Sequence, residues 1–373
     1  MSAREHILPV FVPHFGCPHD CVFCNQRHIS GEQIPATAET VRRVILEAGQ
    51  RTEAHEKLQL AFYGGSFTAI PEEDQLFLLQ AAREALDEGA ITSIRLSTRP
   101  DAIDEGILCR LRTYGVETIE LGAQSLCDEV LRLSGRGHSA EDVRQASRMI
   151  KKAGFHLILQ MMTGLPGDTP ARSIATAEEI IRLKPDGVRI YPTVIVRDTA
   201  LYTLWKRNEY REHTVEDAVS LCARLVPLFE GAGIPVIRIG LNPTEELSAG
   251  SAVAGAYHPA LGELVRSRIL RNEVESLLEG TAPGSRVCLE VPPGKLSQMI
   301  GQHRENLRFL QERYALSSLR VKTGSDPGDH EIRFFIENPV ESEYNKLFLN
   351  FWFRGFCIVF KGFGNSGLQI LCG

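Results

Sequence analysis

Short apolar segments alternate with longer amphipathic segments from the N-terminus to about residue 240. The apolar segments are too short for surface helices and indicate buried strands; they read HILPVFV, LQLAFYGG, SIRLSTRP, TIELGAQS, HLILQMMTG, GVRIYPT and IPVIRIGL. The segments between them, such as 72–89 and 139–154, have helical spacing and end at a glycine. This alternation predicts an α/β fold with a parallel sheet and helices outside it, either an open doubly wound sheet or a partial or full barrel.

Turns rich in glycine and proline follow four of the predicted strands. They read GGS, STRPD, GAQS and TGLPGD. Because ligands of parallel α/β folds bind at the carboxyl ends of the strands, we expect these turns to converge on one site. The structural alternative for each of them is a tight turn without a chemical role.

The pattern changes after residue 242. We predict one domain over 1–242, a linker and helix over 243–282, where small residues are frequent, and a compact α+β domain over 283–337. The order in the last domain is strand, helix, helix, strand, strand. The apolar tail over 338–373 is too interrupted by polar residues to span a bilayer as a clean helix, so we expect no membrane contact, and the sequence assigns the tail no role.

Composition places the chain among ordinary globular proteins. Of 373 residues, 43% are hydrophobic and 24% charged, and the net charge is -6. Contact with nucleic acid would therefore have to come from local basic patches. The N-terminus lacks the pattern of a secretory signal, which favours the cytoplasm. Six scattered cysteines are expected to be buried or inert thiols: Cys109, Cys127, Cys222, Cys288, Cys357 and Cys372.

Three further cysteines, Cys17, Cys21 and Cys24, lie on one short segment, CPHDCVFC. Their spacing suits a metal centre better than a disulfide. One possibility is zinc, with His14, His19 or His28 as the fourth ligand. The other is a cubane iron-sulfur cluster, in which three cysteines leave one iron open for a substrate or cofactor.

The CxxxCxxC spacing of 17–24 resembles the signature of the radical S-adenosylmethionine (radical SAM) enzymes, and Phe23 occupies the family's aromatic position. The resemblance implies a radical SAM type β/α barrel and two cofactors, a 4Fe-4S cluster held by Cys17, Cys21 and Cys24, and S-adenosyl-L-methionine. In the family, one electron from the reduced cluster cleaves S-adenosylmethionine to methionine and a 5'-deoxyadenosyl radical. We expect the electron to come from a donor such as a flavodoxin or ferredoxin.

The same resemblance implies a set of contacts to S-adenosylmethionine, while no catalytic residue is assigned. The glycine turn at 64–66 resembles the turn whose exposed backbone meets the methionine amino group in the family. Arg136 suits a carboxylate, although a surface cation is the plain alternative. The expected contacts are Phe23, Gly64, Gly65, Ser66, Ser97, Gln124, Arg136 and Gln160.

Segments 119–139, 161–170 and 187–210 resemble, more specifically, the radical domain of the Elongator catalytic subunit family. The match extends over roughly residues 5 to 240 and implies RNA, in particular tRNA, as substrate. An acetyltransferase domain follows in that family, whereas the chain after 240 is too short for one. Segment 298–314 resembles a KH domain, but Arg304 stands where the Gly-x-x-Gly loop has its second glycine, so an α+β cap without an RNA role is equally compatible.

Three functions are compatible with these features. The first is a radical SAM enzyme that modifies an RNA base, supported by five Lys or Arg against two acids over 189–211. The second is a radical SAM enzyme with a small, porphyrinogen-like substrate, because oxygen-independent coproporphyrinogen oxidases share the Gly-Gly and Gln positions. The third is a non-catalytic RNA-binding protein whose fold is stabilised by a zinc or iron-sulfur centre. The sequence does not identify the RNA species, the nucleoside or the group transferred.

Overall fold

Seven parallel strands form the main sheet of the computed structural model, which describes residues 5–12, 19–25, 36–50, 57–242, 247–324 and 332–337. The order across the sheet is β1-β2-β3-β4-β5-β6-β8, so neighbours in sequence are almost always neighbours in space. The strands are β1 Glu5–Phe11, β2 Lys57–Tyr63, β3 Ser93–Thr98, β4 Val116–Gln124, β5 His156–Thr163, β6 Gly187–Pro192 and β8 Val236–Ile239. The sheet curls into a half-barrel, which confirms the predicted parallel β/α barrel in its partial form.

The strands are apolar along nearly their whole length because both faces of the sheet are covered. In β2 the five residues 58–62 are buried, and in β4 only Glu117 is exposed. Strands of parallel sheets have this continuous apolar character, since helices pack on one face and side chains fill the other. The short apolar segments of the sequence therefore predicted the strands correctly.

Helices connect the strands along the outside of the sheet. Both helices predicted from spacing are present, and Ser139 and Asp142 cap one of them reciprocally, which fixes its start. The helices of the first unit are α1 Ala38–Gly49, α2 Glu72–Asp87, α3 Glu105–Thr113, α4 Asp128–Leu133, α5 Ala140–Lys152, α6 Pro170–Leu183, α7 Ala200–Lys206 and α8 Val215–Gly231.

The predicted linker contains ordered structure. The chain divides into two compact units after Leu261 rather than after 242. Strand β9, Ala252–Gly255, pairs antiparallel with β7, Val194–Val196. Its side chains are small, so no apolar run marked it in the sequence, yet its backbone completes hydrogen bonds that β7 would otherwise leave open.

The second unit has the predicted order of strand, helix, helix, strand, strand. After α9, Leu261–Leu278, these are β10 Arg286–Val291, α10 Leu296–Ile300, α11 Glu305–Arg313, β11 Ser318–Thr323 and β12 Arg333–Glu337. Strand β10 is central, parallel to β11 and antiparallel to β12. The tail over 338–373 lies outside the described residues. No helix in the described part of the chain combines the length and the apolar character needed to cross a bilayer.

Candidate active site

A cavity of about 670 Å³ opens at the carboxyl ends of the strands, inside the curl of the sheet. Every site residue predicted from the sequence that lies within the described part of the chain lines this cavity. They are Cys21, Phe23, Cys24, Gly64, Gly65, Ser66, Ser97, Gln124, Arg136 and Gln160. Cys17 is the one predicted site residue outside the described residues. The turns after different strands thus converge as expected.

The cysteine segment is held at the rim of the cavity by backbone hydrogen bonds. The Cys24 amide donates to the Cys21 carbonyl at 3.0 Å, which folds the segment into a turn. The Val22 amide donates to the Ser134 carbonyl at 3.0 Å, and the Val22 carbonyl accepts from the Leu201 amide at 2.7 Å. Two elements distant in sequence therefore fix the position of the two described thiols.

Of the expected metal ligands, Cys21, Cys24 and His19 lie within the described residues. No group of three or more His, Cys, Asp or Glu side chains comes together among the residues that the structure describes. Cys17, His14 and His28 lie outside them. The predicted zinc ligand His19 packs against Gly137, where an added Cβ would collide with the imidazole.

Arg136 is buried beside the cysteine segment. It is 7% exposed, so the alternative of a solvated surface cation is wrong. Its guanidinium donates to the Gly122 carbonyl from Nη2 at 2.8 Å, and Nη1 lies 3.5 Å from Cys21 Sγ. Its own carbonyl accepts from the fully buried Arg99 at 2.6 Å. These three contacts fix Arg136 between the Gly122 carbonyl on β4 and the thiol of Cys21.

Two buried polar atoms at this place have no hydrogen-bond partner within the described residues. They are Arg136 Nε, a donor, and Gln124 Oε1, an acceptor. Buried polar groups in proteins are nearly always satisfied, so an orphaned donor and acceptor on one cavity wall indicate a ligand with both kinds of group. A zwitterionic amino acid such as the methionine part of S-adenosylmethionine has them. The residues present therefore fit the expected cofactor.

Backbone strain accompanies these side chains. Gln124 has a φ of 62°, in the left-handed region that side chains other than glycine rarely adopt, at a register shift between β4 and β5. Such conformations cost of order 1–3 kcal/mol and persist where the surroundings fix them, often at ligand sites. Gly64, at φ 92°, turns the chain after β2, where an added Cβ would lie 3.3 Å from the Val12 carbonyl oxygen.

Ser97 braces the glycine turn. Its hydroxyl lies 3.3 Å from the Gly65 carbonyl oxygen, to which it donates. The sequence predicts Ser97 among the cofactor contacts, and the structure gives it in addition this role in holding the turn. Both serine oxygen lone pairs stay available to a ligand in the cavity.

A buried charge network on the cavity floor escaped sequence reasoning. The Glu120 side chain is fully buried and accepts from four side chains: Tyr63 at 2.7 Å, Arg95 at 2.9 Å, Arg189 at 2.9 Å and Gln160 at 2.8 Å. The five residues come from five consecutive strands, β2 to β6. The sequence did carry a signal: Arg95, Glu120 and Arg189 each lie inside an apolar strand. Burying a charge costs free energy unless the charge is paired.

Electrostatics keeps this carboxylate ionised. Burial alone would raise the pKa of Glu120, but the Arg189 and Arg95 guanidiniums and the Tyr63 hydroxyl hold that pKa below its usual value. Burial and the neighbouring Glu120 raise the pKa of Tyr63, which therefore stays protonated and donates to the carboxylate.

The network also orients Gln160. A carboxylate only accepts hydrogen bonds, so the Gln160 amide nitrogen must face Glu120. One amide N–H is thereby engaged, which fixes the side chain so that the carbonyl oxygen points away from Glu120 and can accept from a ligand. Gln160 can then recognise a hydrogen-bond donor, such as a ribose hydroxyl or a ring N–H.

Replacing Gly122 with alanine is expected to weaken binding of S-adenosylmethionine. The added Cβ would lie 2.8 Å from Arg136 Nη2 and 3.0 Å from Gln124 Nε2, so both side chains must move. Loss of one charge-assisted hydrogen bond predicts affinity lower by about 10- to 100-fold in anaerobic calorimetry. In Gly49→Ala, the matched control, the methyl group meets nothing within 4 Å and affinity should not change. Equal affinity in the two variants would argue against the assigned contacts.

The chain is similar to known proteins over most of residues 11–271. The family model described as the Radical SAM superfamily matches residues 11–182, and the model for the Radical_SAM C-terminal domain matches 185–271. Elongator complex protein 3 of Homo sapiens is 31% identical over 248 residues, covering 61% of this chain and 44% of the human protein. The tRNA uridine(34) acetyltransferase of Methanocaldococcus infernus is 30% identical over 233 residues, covering 56% and 42%. The chain thus spans less than half the length of these curated relatives.

A solved structure shows the same fold. The archaeal Elp3 of Methanocaldococcus infernus with an N-terminal deletion superposes with a TM-score of 0.59 at 24% identity, covering 73% of this chain and 64% of that one. At this identity the likeness concerns the fold alone. Members of the superfamily use a 4Fe-4S cluster and S-adenosylmethionine, and the cavity described above holds the residue types that these cofactors need. Matched by two models that together extend over 11–182 and 185–271, the chain belongs to the radical SAM superfamily.

Proposed function

We propose that this protein is a radical SAM enzyme that modifies a base of an RNA, with tRNA as the favoured substrate. The observation that carries the proposal is the match of about 30% identity to proteins named for Elongator and for tRNA uridine modification. More than half of each of those relatives lies outside the match. The proposal therefore does not define the group transferred or any use of acetyl-CoA.

The cofactor sites follow from the cavity walls. Cys17, Cys21 and Cys24 would hold the cluster, and Arg136 with Gln124 would hold the carboxylate and amino groups of S-adenosylmethionine. When bound, the two cofactors supply a carbon-centred radical that abstracts hydrogen. The protein binds the cofactors and orients them against the substrate. The apolar side chains of Phe23, Met162 and Val194 on the cavity wall limit the access of water.

The polar floor offers one acceptor to a ligand. The Gln160 carbonyl can accept from a ribose hydroxyl of S-adenosylmethionine, the contact expected from the sequence, or from a ring N–H of a nucleobase, whereas the Arg189 side chain donates to Glu120 and Tyr63. A flavodoxin or ferredoxin is proposed as electron donor, and the cytoplasm as location.

The alternatives have less support. The curated relatives described above are named for Elongator and for tRNA uridine modification, not for a porphyrinogen. A purely structural metal centre would provide no hydrogen-bond partner for Arg136 Nε and Gln124 Oε1. The KH-like unit is a second RNA contact in this proposal, since residues 302–304 of its helix-connecting loop are exposed.

Anaerobic turnover tests the function. Protein reconstituted with iron and sulfide and reduced with dithionite should release 5'-deoxyadenosine, and bulk tRNA should increase the rate because substrate completes the site. The assay is chromatographic, and the control is the same tRNA hydrolysed to nucleotides. Release that is insensitive to tRNA would remove RNA from the proposal, and absence of release would remove the radical chemistry.

A further inference from the structure

Helix α7 carries an aromatic and cationic face. Tyr202, Trp205 and Lys206 stand at positions i, i+3 and i+4, which places them on one side of the helix. The two rings are 6.1 Å apart between centroids, and Lys206 Nζ lies 5.5 Å from the Tyr202 ring centroid. Leu201 is fully buried, while both rings are half-buried and Lys206 is exposed. We call Tyr202, Trp205 and Lys206 the α7 platform.

The α7 platform begins at the rim of the cavity. The Leu201 amide donates to the Val22 carbonyl at 2.7 Å, and Val22 lies between the cavity-lining residues Cys21 and Phe23. The Thr199 hydroxyl donates to the carbonyl of Val196, another cavity-lining residue, at 2.7 Å. A polymer whose reacting unit occupies the cavity would pass its neighbouring units over this helix.

Basic residues outnumber acidic ones over 197–211, although the chain as a whole carries -6. Over 197–211 the basic side chains are Arg197, Lys206, Arg207 and Arg211, against the acidic Asp198 and Glu209. Arg211 is 90% exposed and reaches Asp217 only at 3.9 Å. The sequence count over 189–211 also included Arg189, which the structure places in the buried Glu120 network instead. The two exposed cations that belong to α7 itself are Lys206, in its last turn, and Arg207, its C-cap.

We propose that the α7 platform stacks bases of single-stranded RNA adjacent to the nucleotide in the cavity, while the surrounding Lys and Arg side chains contact phosphates. The inference rests on the proposed RNA-modifying function and assigns it a docking surface. Aromatic rings interleaved with cations are the usual means by which proteins bind single strands without reading sequence. An acidic electron-donor protein could use the charges but has no evident use for two adjacent half-exposed rings.

Tryptophan fluorescence offers a direct test. The chain has two tryptophans, Trp205 and Trp352, so in full-length Trp352→Phe protein the emission comes from Trp205. Titration with a uridine-rich single-stranded oligonucleotide, and with bulk tRNA, should quench that emission as a base stacks on the indole.

Affinity of variants gives a second readout. Trp205→Ala should weaken binding of the oligonucleotide by about 5- to 150-fold, the usual range for one stacked base, and Trp205→Phe should retain most of it. Lys206→Gln with Arg207→Gln should reduce the slope of log affinity against log salt by about 0.7 for each phosphate that these side chains neutralise in the parent protein. Phe77→Ala is the matched control, because Phe77 is 60% exposed on α2 and should not affect binding. Thermal melting shows that each variant is folded.

The outcomes separate the inference from the function. If the parent protein binds RNA but Trp205 emission and the affinity of the Trp205 variants do not change, the platform is overturned while the RNA function stands. If an acidic flavodoxin quenches Trp205 and RNA does not, the surface serves the electron donor and the inference is again overturned. If the parent protein neither binds RNA nor responds to tRNA in turnover, the proposed function fails and the inference fails with it.

Discussion

Cys21→Ala protein is expected to lose cleavage of S-adenosylmethionine completely while keeping its fold. Cys21 is one of the two described thiols at the cavity rim, and its sulfur lies 3.5 Å from Arg136 Nη1. A cubane with two remaining thiolates is poorly held, so both the brown colour and the 5'-deoxyadenosine signal should disappear. The measurements are iron and sulfide content, visible absorption and chromatography after dithionite reduction.

The fold should tolerate this change, because the segment is held by backbone hydrogen bonds of Val22 and Cys24 rather than by the Cys21 side chain. We expect a loss of about 1 kcal/mol in the free energy of unfolding, as for a typical substitution. Cys109→Ala is the matched control, since Cys109 is exposed on α3. Full activity of the Cys21 variant, or a protein that contains zinc and no iron, would contradict the assignment of the centre.

Glu120→Ala protein is expected to lose about 3–5 kcal/mol of unfolding free energy, which is the usual cost of breaking a buried ion pair by removing one partner. Arg95 and Arg189 are each about a tenth exposed at the side chain, so both would remain as buried charges without their carboxylate. Urea denaturation followed by circular dichroism measures the effect. Glu141→Ala is the control, because the Glu141 carboxylate is 61% exposed and pairs with Arg148 on the surface; there the loss should be much smaller, since water screens exposed ion pairs. Similar losses in the two variants would show that the network does not stabilise the sheet.

The pH dependence of this contribution has a definite sign. The folded pKa of Glu120 lies below the ordinary value of 4.5. A lowered folded pKa gives a contribution that is complete above the unfolded pKa and is lost as pH falls through the folded pKa. The stability difference between Glu120→Ala and the parent protein should therefore be constant near neutral pH and shrink as the pH falls below 4.5 and through the lower folded pKa.

Sequence reasoning predicted the sheet because each strand carries its own apolar signal, and it predicted that the Gly-rich turns converge because the ends of parallel strands share one edge. The individual cofactor contacts came from the resemblance to the radical SAM enzymes. Sequence reasoning missed the Glu120 network because its members are far apart in sequence: Tyr63 and Arg189 are separated by 126 positions. No single strand shows that its charge has a partner. Strand β9 was missed because its residues, AVAG, contribute backbone rather than apolar side chains. The burial of Arg136 likewise depends on Gly122 and Cys21, which approach it only in the folded chain.

The curled sheet ends in two strands, β1 and β8, and no strand within the described residues pairs with their outer edges. Both edge strands line the cavity, through Ile7, Pro9 and Phe11 on one side and Arg238 on the other. Edge strands open locally more easily than central ones, because the N–H and C=O groups on their outer side form no hydrogen bonds to a neighbouring strand. A ligand that touches both edges restricts both, and its binding energy adds to the stability of the folded state. A ligand that contacts β1 and β8 together would thus link the two edges that a full barrel joins by further strands.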